Sequence, residues 1–286
     1  MVESDEGVFM QSMSPFTPMH MNITSQDLQG NGRLGRYILL PGSDGRAEAM
    51  AQRLQNVQVC THSRRHNFYK GTWQGIDIGV MSSGMGCPSM DIIASELLHQ
   101  GARRIIRVGT AGSLQPQRLR IGSLVVPTAA VRDEGTSRHY LEGSIPVLPS
   151  LEFLDAVRRA AVDQKLEDKV FLGLTHTKDS LYAREFGEGP LQTEHARYMQ
   201  HLHAAGVLAS EMECAQLFTL AQVWNQKLLQ SQPDRPLVRS GAILAIIGDD
   251  QPFADGAIVK TTIEHAIDLG FATIASWHKN EDRPWL

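Results

Sequence analysis

The chain reads as a single α/β domain with a largely parallel or mixed sheet. Short apolar runs alternate with longer amphipathic stretches, the runs end in turns rich in Gly, Pro or Ser, and no composition break or linker interrupts the series. A length of 286 residues allows one large domain or two small ones. The unbroken series favours one domain over 20–286. Residues 1–19 differ: they hold four of the eleven methionines, with Ser, Pro and acidic residues and no clean period, and are expected to form a mobile arm.

The elements follow in order. Tyr37–Leu40 reads as a strand stopped by Pro41-Gly42, and Ile76–Met81 as another ending at Ser82-Ser83-Gly84. A helix is expected after Pro88, with Ser89 as N-cap, Ile93 and Leu97 on one face and Gly101 as the stop. Arg104–Val108 and Leu124–Val126 read as strands. Leu151, Leu154, Val157 and Ala161 make a helical stripe behind Ser150, and Lys169–Thr175 reads as a strand. Glu211–Trp224 reads as a helix, Ala242–Ile247 as a strand, and Ile263, Ile267, Phe271 and Ile274 line a last long helix that tolerates Gly270. The segment 183–192 is the loop candidate.

Composition excludes several classes. The 27 basic against 31 acidic residues give a net charge of −4, so no general positive field attracts nucleic acid or an anionic membrane. No apolar run approaches the ~18 residues of a membrane span, and the first residues show no signal-peptide pattern. Three scattered cysteines are too few for a disulfide framework, so a reducing, cytoplasmic setting is expected. No His-Glu-x-x-His or Cys/His ligand spacing occurs. His201 and His203 would fall on different helix faces, so no catalytic metal is assigned.

In an α/β sheet, ligand sites gather where strands end. Four such places carry chemistry, each with a plain structural alternative. Pro41-Gly42-Ser43-Asp44-Gly45-Arg46 could hold an anion against backbone N–H groups and a guanidinium, or be a strand-to-helix turn with a surface arginine. Gly84-Met85-Gly86 is a glycine-rich turn that matches neither a Walker loop nor a dinucleotide fingerprint. Arg107 lies inside an apolar strand, where burial demands an anion or a carboxylate partner, with Thr110 three residues on. Glu211-Met212-Glu213 enters a helix, where the carboxylates either accept from a diol or simply complement the helix dipole.

Together, and in order, these motifs resemble the nucleoside phosphorylase family, in the branch of uridine phosphorylase and bacterial-type purine nucleoside phosphorylase. The resemblance runs from His20 to about Ile274, and the segment from His20 to Gly30 is similar to the N-terminal segment of uridine phosphorylases. It implies a three-layer α/β/α fold around a distorted mixed sheet, and the reaction of a nucleoside with phosphate to give a free base and ribose 1-phosphate. By resemblance, Gly42, Arg46, Arg107 and Thr110 hold the phosphate. Arg64 joins them from a neighbouring subunit, with Arg65 as its rival for that role. Glu213 accepts from the ribose hydroxyls, Met212 packs under the sugar, and His20 of the neighbour reaches the 5′-hydroxyl. Leu181, Arg184 and Glu211 complete the nucleoside site. Sharing across an interface implies a homo-oligomer. Neither cofactor nor metal is expected, only inorganic phosphate as co-substrate.

Three departures matter. The acidic residue usual after the first-strand glycine is Ser43 here, followed by Asp44. Pyrimidine-specific relatives bind uracil with a glutamine and an arginine after a segment like Lys178–Tyr182. Here Ala183-Arg184-Glu185-Phe186 follows instead, with Arg184 as a candidate substitute. Purine enzymes place an aspartate after the late strand to protonate the base, and Asp249 stands there as a candidate general acid. Uridine phosphorylase is the expected activity. The alternatives are purine nucleoside phosphorylase through Asp249, a hydrolytic nucleosidase, and a catalytically inactive nucleoside-binding relative.

Overall fold

The computed structural model describes residues 16–249 and 256–281. Its strands are β1 (Tyr37–Leu40), β2 (Gln55–Cys60), β3 (Phe68–Trp73), β4 (Ile76–Val80), β5 (Arg104–Ser113), β6 (Leu124–Asp133), β7 (Val170–Lys178), β8 (Ala209–Glu211) and β9 (Arg239–Gly248). The helices are α1 (Asp44–Ala51), α2 (Cys87–Gln100), α3 (Leu151–Asp163), α4 (Leu181–Glu185), α5 (Gln192–Ala204), α6 (Cys214–Ser231) and α7 (Gly256–Lys279).

The sheet is mixed. β1 lies parallel between β4 and β5, and an antiparallel β2–β3–β4 meander extends that side. β5 then serves two neighbours. It runs parallel to β9 along its length and pairs antiparallel with β8 only at Gly112 and Ser113. Pairings β8–β7, β7–β6 and β6–β9 return to β9, so five strands close into a ring. Register breaks at Ala111/Gly112 and at Pro127/Ala129, the second where proline removes a ladder donor, supply part of the distortion.

Both faces of the sheet are covered, which makes three layers. In β1 all four residues are buried: Tyr37 and Leu39 join the core under α1, α3 and α7, while Ile38 and Leu40 join the core under α2 and α6. That two-sided burial is why the strand reads as an unbroken apolar run. Gly270 lets α7 lie close to the sheet, since a methyl there would come within 3.2 Å of Val108.

Several elements differ from the sequence expectation. β5 continues to Ser113 and β6 to Asp133, each well past the apolar run that announced it. Helix α2 starts at Cys87 behind Gly86, and Ser89 lies inside its first turn. In α3 the buried face is Phe153, Ala156, Val157, Ala160 and Ala161, and Leu151 points outward. Glu211 is the last residue of β8, and α6 begins only at Cys214. Residues 183–192 are a loop only in part, because α4 runs to Glu185 and α5 starts at Gln192.

Of the expected mobile arm, residues 1–15 lie outside the described residues. The end of that arm is fastened to α2. The Phe16 ring stacks on His99 at 4.1 Å, its carbonyl accepts from Gln100 at 2.9 Å, and the Met19 N–H donates to Glu96 at 3.0 Å.

Gly241 of β9 faces Phe153 of α3 so closely that a methyl group would enter the ring. Overpacking of this kind costs roughly 1–3 kcal/mol. Gly241→Ala is therefore expected to lower the melting temperature by at least about 2 °C. Differential scanning calorimetry checks this, and an unchanged Tm would show that α3 is free to move.

Candidate active site

Three adjacent parallel strand ends build the site. After β1 the chain turns through Pro41-Gly42-Ser43 into α1, and after β4 through Ser82–Gly86 into α2. Gly84 and Gly86 take the left-handed φ values of +70° and +82°, which glycine adopts without strain. The Ser83 N–H donates to the Pro41 carbonyl at 2.8 Å, and the Ser89 hydroxyl to the Ser83 carbonyl at 2.8 Å, so the two turns are stitched together. A methyl on Gly42 would lie 3.3 Å from Arg46 Nη2, 3.5 Å from the Gly84 carbonyl oxygen and 3.9 Å from Arg107 Nη1. Two guanidinium groups and two glycine turns thus converge on one point.

The departure at Ser43 has a use. Its hydroxyl accepts from Arg46 Nε at 3.2 Å and so orients that side chain. Burial and the adjacent Arg107 charge hold the Arg46 guanidinium below its ordinary value, with Glu213 opposing. Two like charges pressed together beside glycine backbone make a place that favours an anion.

Arg107 is 3% exposed. Burial opposes its charge, but the Glu213 and Glu211 carboxylates outweigh that and hold the guanidinium firmly protonated. Its Nη2 donates to Glu213 Oε2, and its Nε lies 3.4 Å from Glu211 Oε2 without the alignment of a hydrogen bond. Room for the group comes from Gly109, where a methyl would meet Arg107 Nη2 at 2.8 Å.

The two carboxylates are held differently. Glu211 accepts from Thr177 Oγ1 at 2.6 Å and from the backbone N–H groups of Glu213 and Cys214 at 2.8 and 3.0 Å. It therefore serves the first turn of α6, which explains why its segment reads as a helix start. Glu213 accepts from the Gly86 N–H at 2.6 Å, tying α6 to the turn before α2. Met212, between them, is half-buried, and its carbonyl accepts from Cys87 Sγ at 3.2 Å. Thr110 is half-buried on β5, three residues beyond Arg107.

Residues 36–228 match the family model described as the phosphorylase superfamily. The chain belongs to the phosphorylase superfamily. It is 35% identical over 240 residues to a uridine phosphorylase of Treponema pallidum, covering 83% of this chain and 84% of that protein. It is 29% identical over 267 residues to the uridine phosphorylase of Escherichia coli, covering 90% and 96%. A guanosine phosphorylase of Halorubrum lacusprofundi is 28% identical over 218 residues, covering 76% and 80%.

Not every residue expected at the site of this superfamily member joins the cluster within one chain. Gly42, Arg46, Arg107 and Glu213 are brought together. Glu211 touches Arg107 and is buried, with its oxygens engaged by Thr177 and the first N–H groups of α6. His20 is bound to α2 through Glu96, its Nδ1 2.7 Å from Oε1. Arg64 and Arg65 are exposed in the turn between β2 and β3, Arg65 with φ +62°.

Leu181 and Arg184 lie on α4. Arg184, the candidate substitute for a base-binding arginine, pairs with Asp133 at 2.9 Å and lies over the Tyr198 ring at 4.8 Å. Asp249 directly follows β9, and its buried carboxylate accepts from the Ile121 N–H at 3.3 Å and lies 3.8 Å from Arg120. These contacts fasten β9 to the loop before β6.

Sequence reasoning missed His66, whose ring sits 3.5 Å from where a methyl on Gly84 would be. It also missed Ser83, 3.5 Å from Arg107 Nη1. His66 stands in no motif, and Ser83, at the head of the glycine-rich turn, was given no role; only folding brings His66 to the turn and Ser83 to Arg107. Among the described residues no cluster of His, Cys, Asp and Glu is arranged to hold a metal ion.

Arg107→Ala would leave two buried carboxylates facing each other, at a cost of about 3–5 kcal/mol. Arg46→Ala, nearer the surface, is expected to change stability by under about 1 kcal/mol. Phosphate should raise the Tm of the parent protein and fail to raise that of Arg46→Ala. Urea unfolding and thermal shift measure both. Full stability of Arg107→Ala, or an undiminished phosphate shift in Arg46→Ala, would contradict this reading of the cluster.

Proposed function

We propose that this chain is a uridine phosphorylase, converting uridine and phosphate to uracil and ribose 1-phosphate. The convergence of Arg46 and Arg107 on Gly42, with Glu213 alongside, carries the reading. Uridine phosphorylases that align with 83–90% of the chain point to the same reaction. Members of this superfamily of the nucleoside type act on a nucleoside and phosphate. Two arginines and glycine backbone suit the phosphate. An acceptor-only carboxylate suits a vicinal diol.

The chemistry follows from these residues. Arg46 and Arg107 orient the phosphate so that one oxygen faces C1′, which removes much of the entropic barrier. As the C1′–N1 bond breaks, positive charge develops on the ribose ring, and the adjacent dianion and Glu213 stabilise it. A phosphate oxygen forms the new bond to C1′. The bonding pair leaves on uracil N1, which then takes up a proton.

Glu213 is tied to Arg107 in the free protein, and its carboxyl is pushed up by burial and by Glu211, against the pull of Arg107. Phosphate can take over the guanidinium and release Glu213 to the sugar. His20 and Arg64 do not reach this cluster within one chain, so we assign them to a neighbouring copy in a homo-oligomer. No helix among the described residues is long and apolar enough to cross a membrane, and we place the enzyme in the cytoplasm. Phosphate is its co-substrate, with no cofactor or metal.

A purine reading rests on the buried Asp249 at the strand end. Incubating purified protein with uridine, inosine or guanosine, with and without phosphate, separates the readings. Phosphate-dependent uracil release is expected. Turnover of purine nucleosides alone would overturn uridine as substrate, and turnover without phosphate would make the protein a hydrolase.

A further inference from the structure

A second polar cluster lies one strand away from Arg107. Lys178, at the end of β7, is 2% exposed; its Nζ donates to Ser210 Oγ at 3.0 Å and forms an ion pair with Glu185 Oε1 at 2.7 Å without the alignment of a hydrogen bond. Ser210 is fixed in turn by His176 Nδ1 at 2.9 Å, and His176 Nε2 lies 2.8 Å from Asp133. Glu185 ends α4, which is pinned by the Arg184–Asp133 pair and by His195 on the Ala183 carbonyl. The carboxylate is therefore placed by a packed network. Its other oxygen, Oε2, faces Gly112: a methyl there would lie 3.9 Å away.

The position relates directly to the first cluster. Gly112 pairs with Ser210 across β5 and β8. Gly112 is two residues past Thr110, and Ser210 is three before Glu213. Along β5, at roughly 3.3 Å per residue, Gly112 lies about 7 Å beyond Thr110, the reach from a ribose to the far edge of its base. The glutamine and arginine that pyrimidine-specific relatives would use are not both present here. Arg184 is committed to Asp133.

Resting on the uridine phosphorylase reading, we propose that Glu185, oriented by Lys178, reads the base. Glu185 Oε2 accepts the N3–H of uracil, and an N–H of the Lys178 ammonium not engaged by Ser210 serves a neighbouring carbonyl oxygen. This pattern selects an imide edge, since a base with a lone pair at N3 would face the carboxylate acceptor to acceptor.

The test compares uridine with 3-methyluridine, which lacks the N3–H, in phosphorolysis by the parent enzyme, Glu185→Ala and Glu185→Gln. The parent should prefer uridine by at least about tenfold in kcat/KM, the range of a hydrogen bond to a charged group. Glu185→Ala should lose about tenfold on uridine and stay within about twofold on 3-methyluridine, collapsing the ratio. Glu185→Gln keeps a carbonyl acceptor and the side-chain shape, and should restore part of the ratio. An unchanged ratio in both variants, or a parallel loss on both substrates, would overturn the role of Glu185 while leaving the reaction in place. Failure of the parent to cleave uridine would overturn the reaction itself, and the base reading with it.

Discussion

One guanidinium buried between two carboxylates fixes the rest of the site. Arg107 cannot be accommodated inside a sheet without opposite charge, and Glu211 and Glu213 supply it from the β8–α6 junction. Because Glu211 also accepts from the first N–H groups of α6, and Glu213 from the Gly86 N–H before α2, the charge cluster locks β5, α2 and α6 together. Gly109 is required by the same group, since any side chain there would occupy the guanidinium's space. What looks like a set of separate strand-end motifs is one electrostatic unit.

That unit also separates local charge from overall charge. The chain is net acidic at −4, yet Arg46 and Arg107 crowd one glycine turn and repel each other. On the proposed reading, an arriving phosphate dianion would relieve that repulsion and compete with Glu213 for Arg107. The Arg107–Glu213 pair thus sets a buried carboxylate directly against the arginine that shares the turn with Arg46. The surface charge says nothing about this, because the pocket answers to a handful of placed groups.

Much of the architecture was legible because burial on two faces leaves an unmistakable apolar run, as in Tyr37–Leu40 and Ala242–Ile247. Legibility failed where burial did. In the edge strand Gln55–Cys60, Val57 and Val59 alternate with polar residues but are themselves exposed; α4 is a five-residue helix with no buried residue, and α5 is dominated by polar and charged residues. The two arginines that converge on Gly42 stood out in the sequence by their strand-end positions. The contacts of Glu211 and Arg184 did not, because each is set by long-range partners: Arg107 and Thr177 for one, Asp133 and Tyr198 for the other. Lys178 and Glu185 were visible as letters, but only the fold brings Glu185 over Gly112.

A crystal structure with phosphate and a non-cleaved uridine analogue tests the central claim most directly. The account predicts phosphate oxygens within hydrogen-bond distance of Arg46 and Arg107, with Glu213 released from Arg107 onto the ribose 2′- and 3′-hydroxyls. An anion bound away from Gly42, with the Arg107–Glu213 pair intact beneath the sugar, would contradict it.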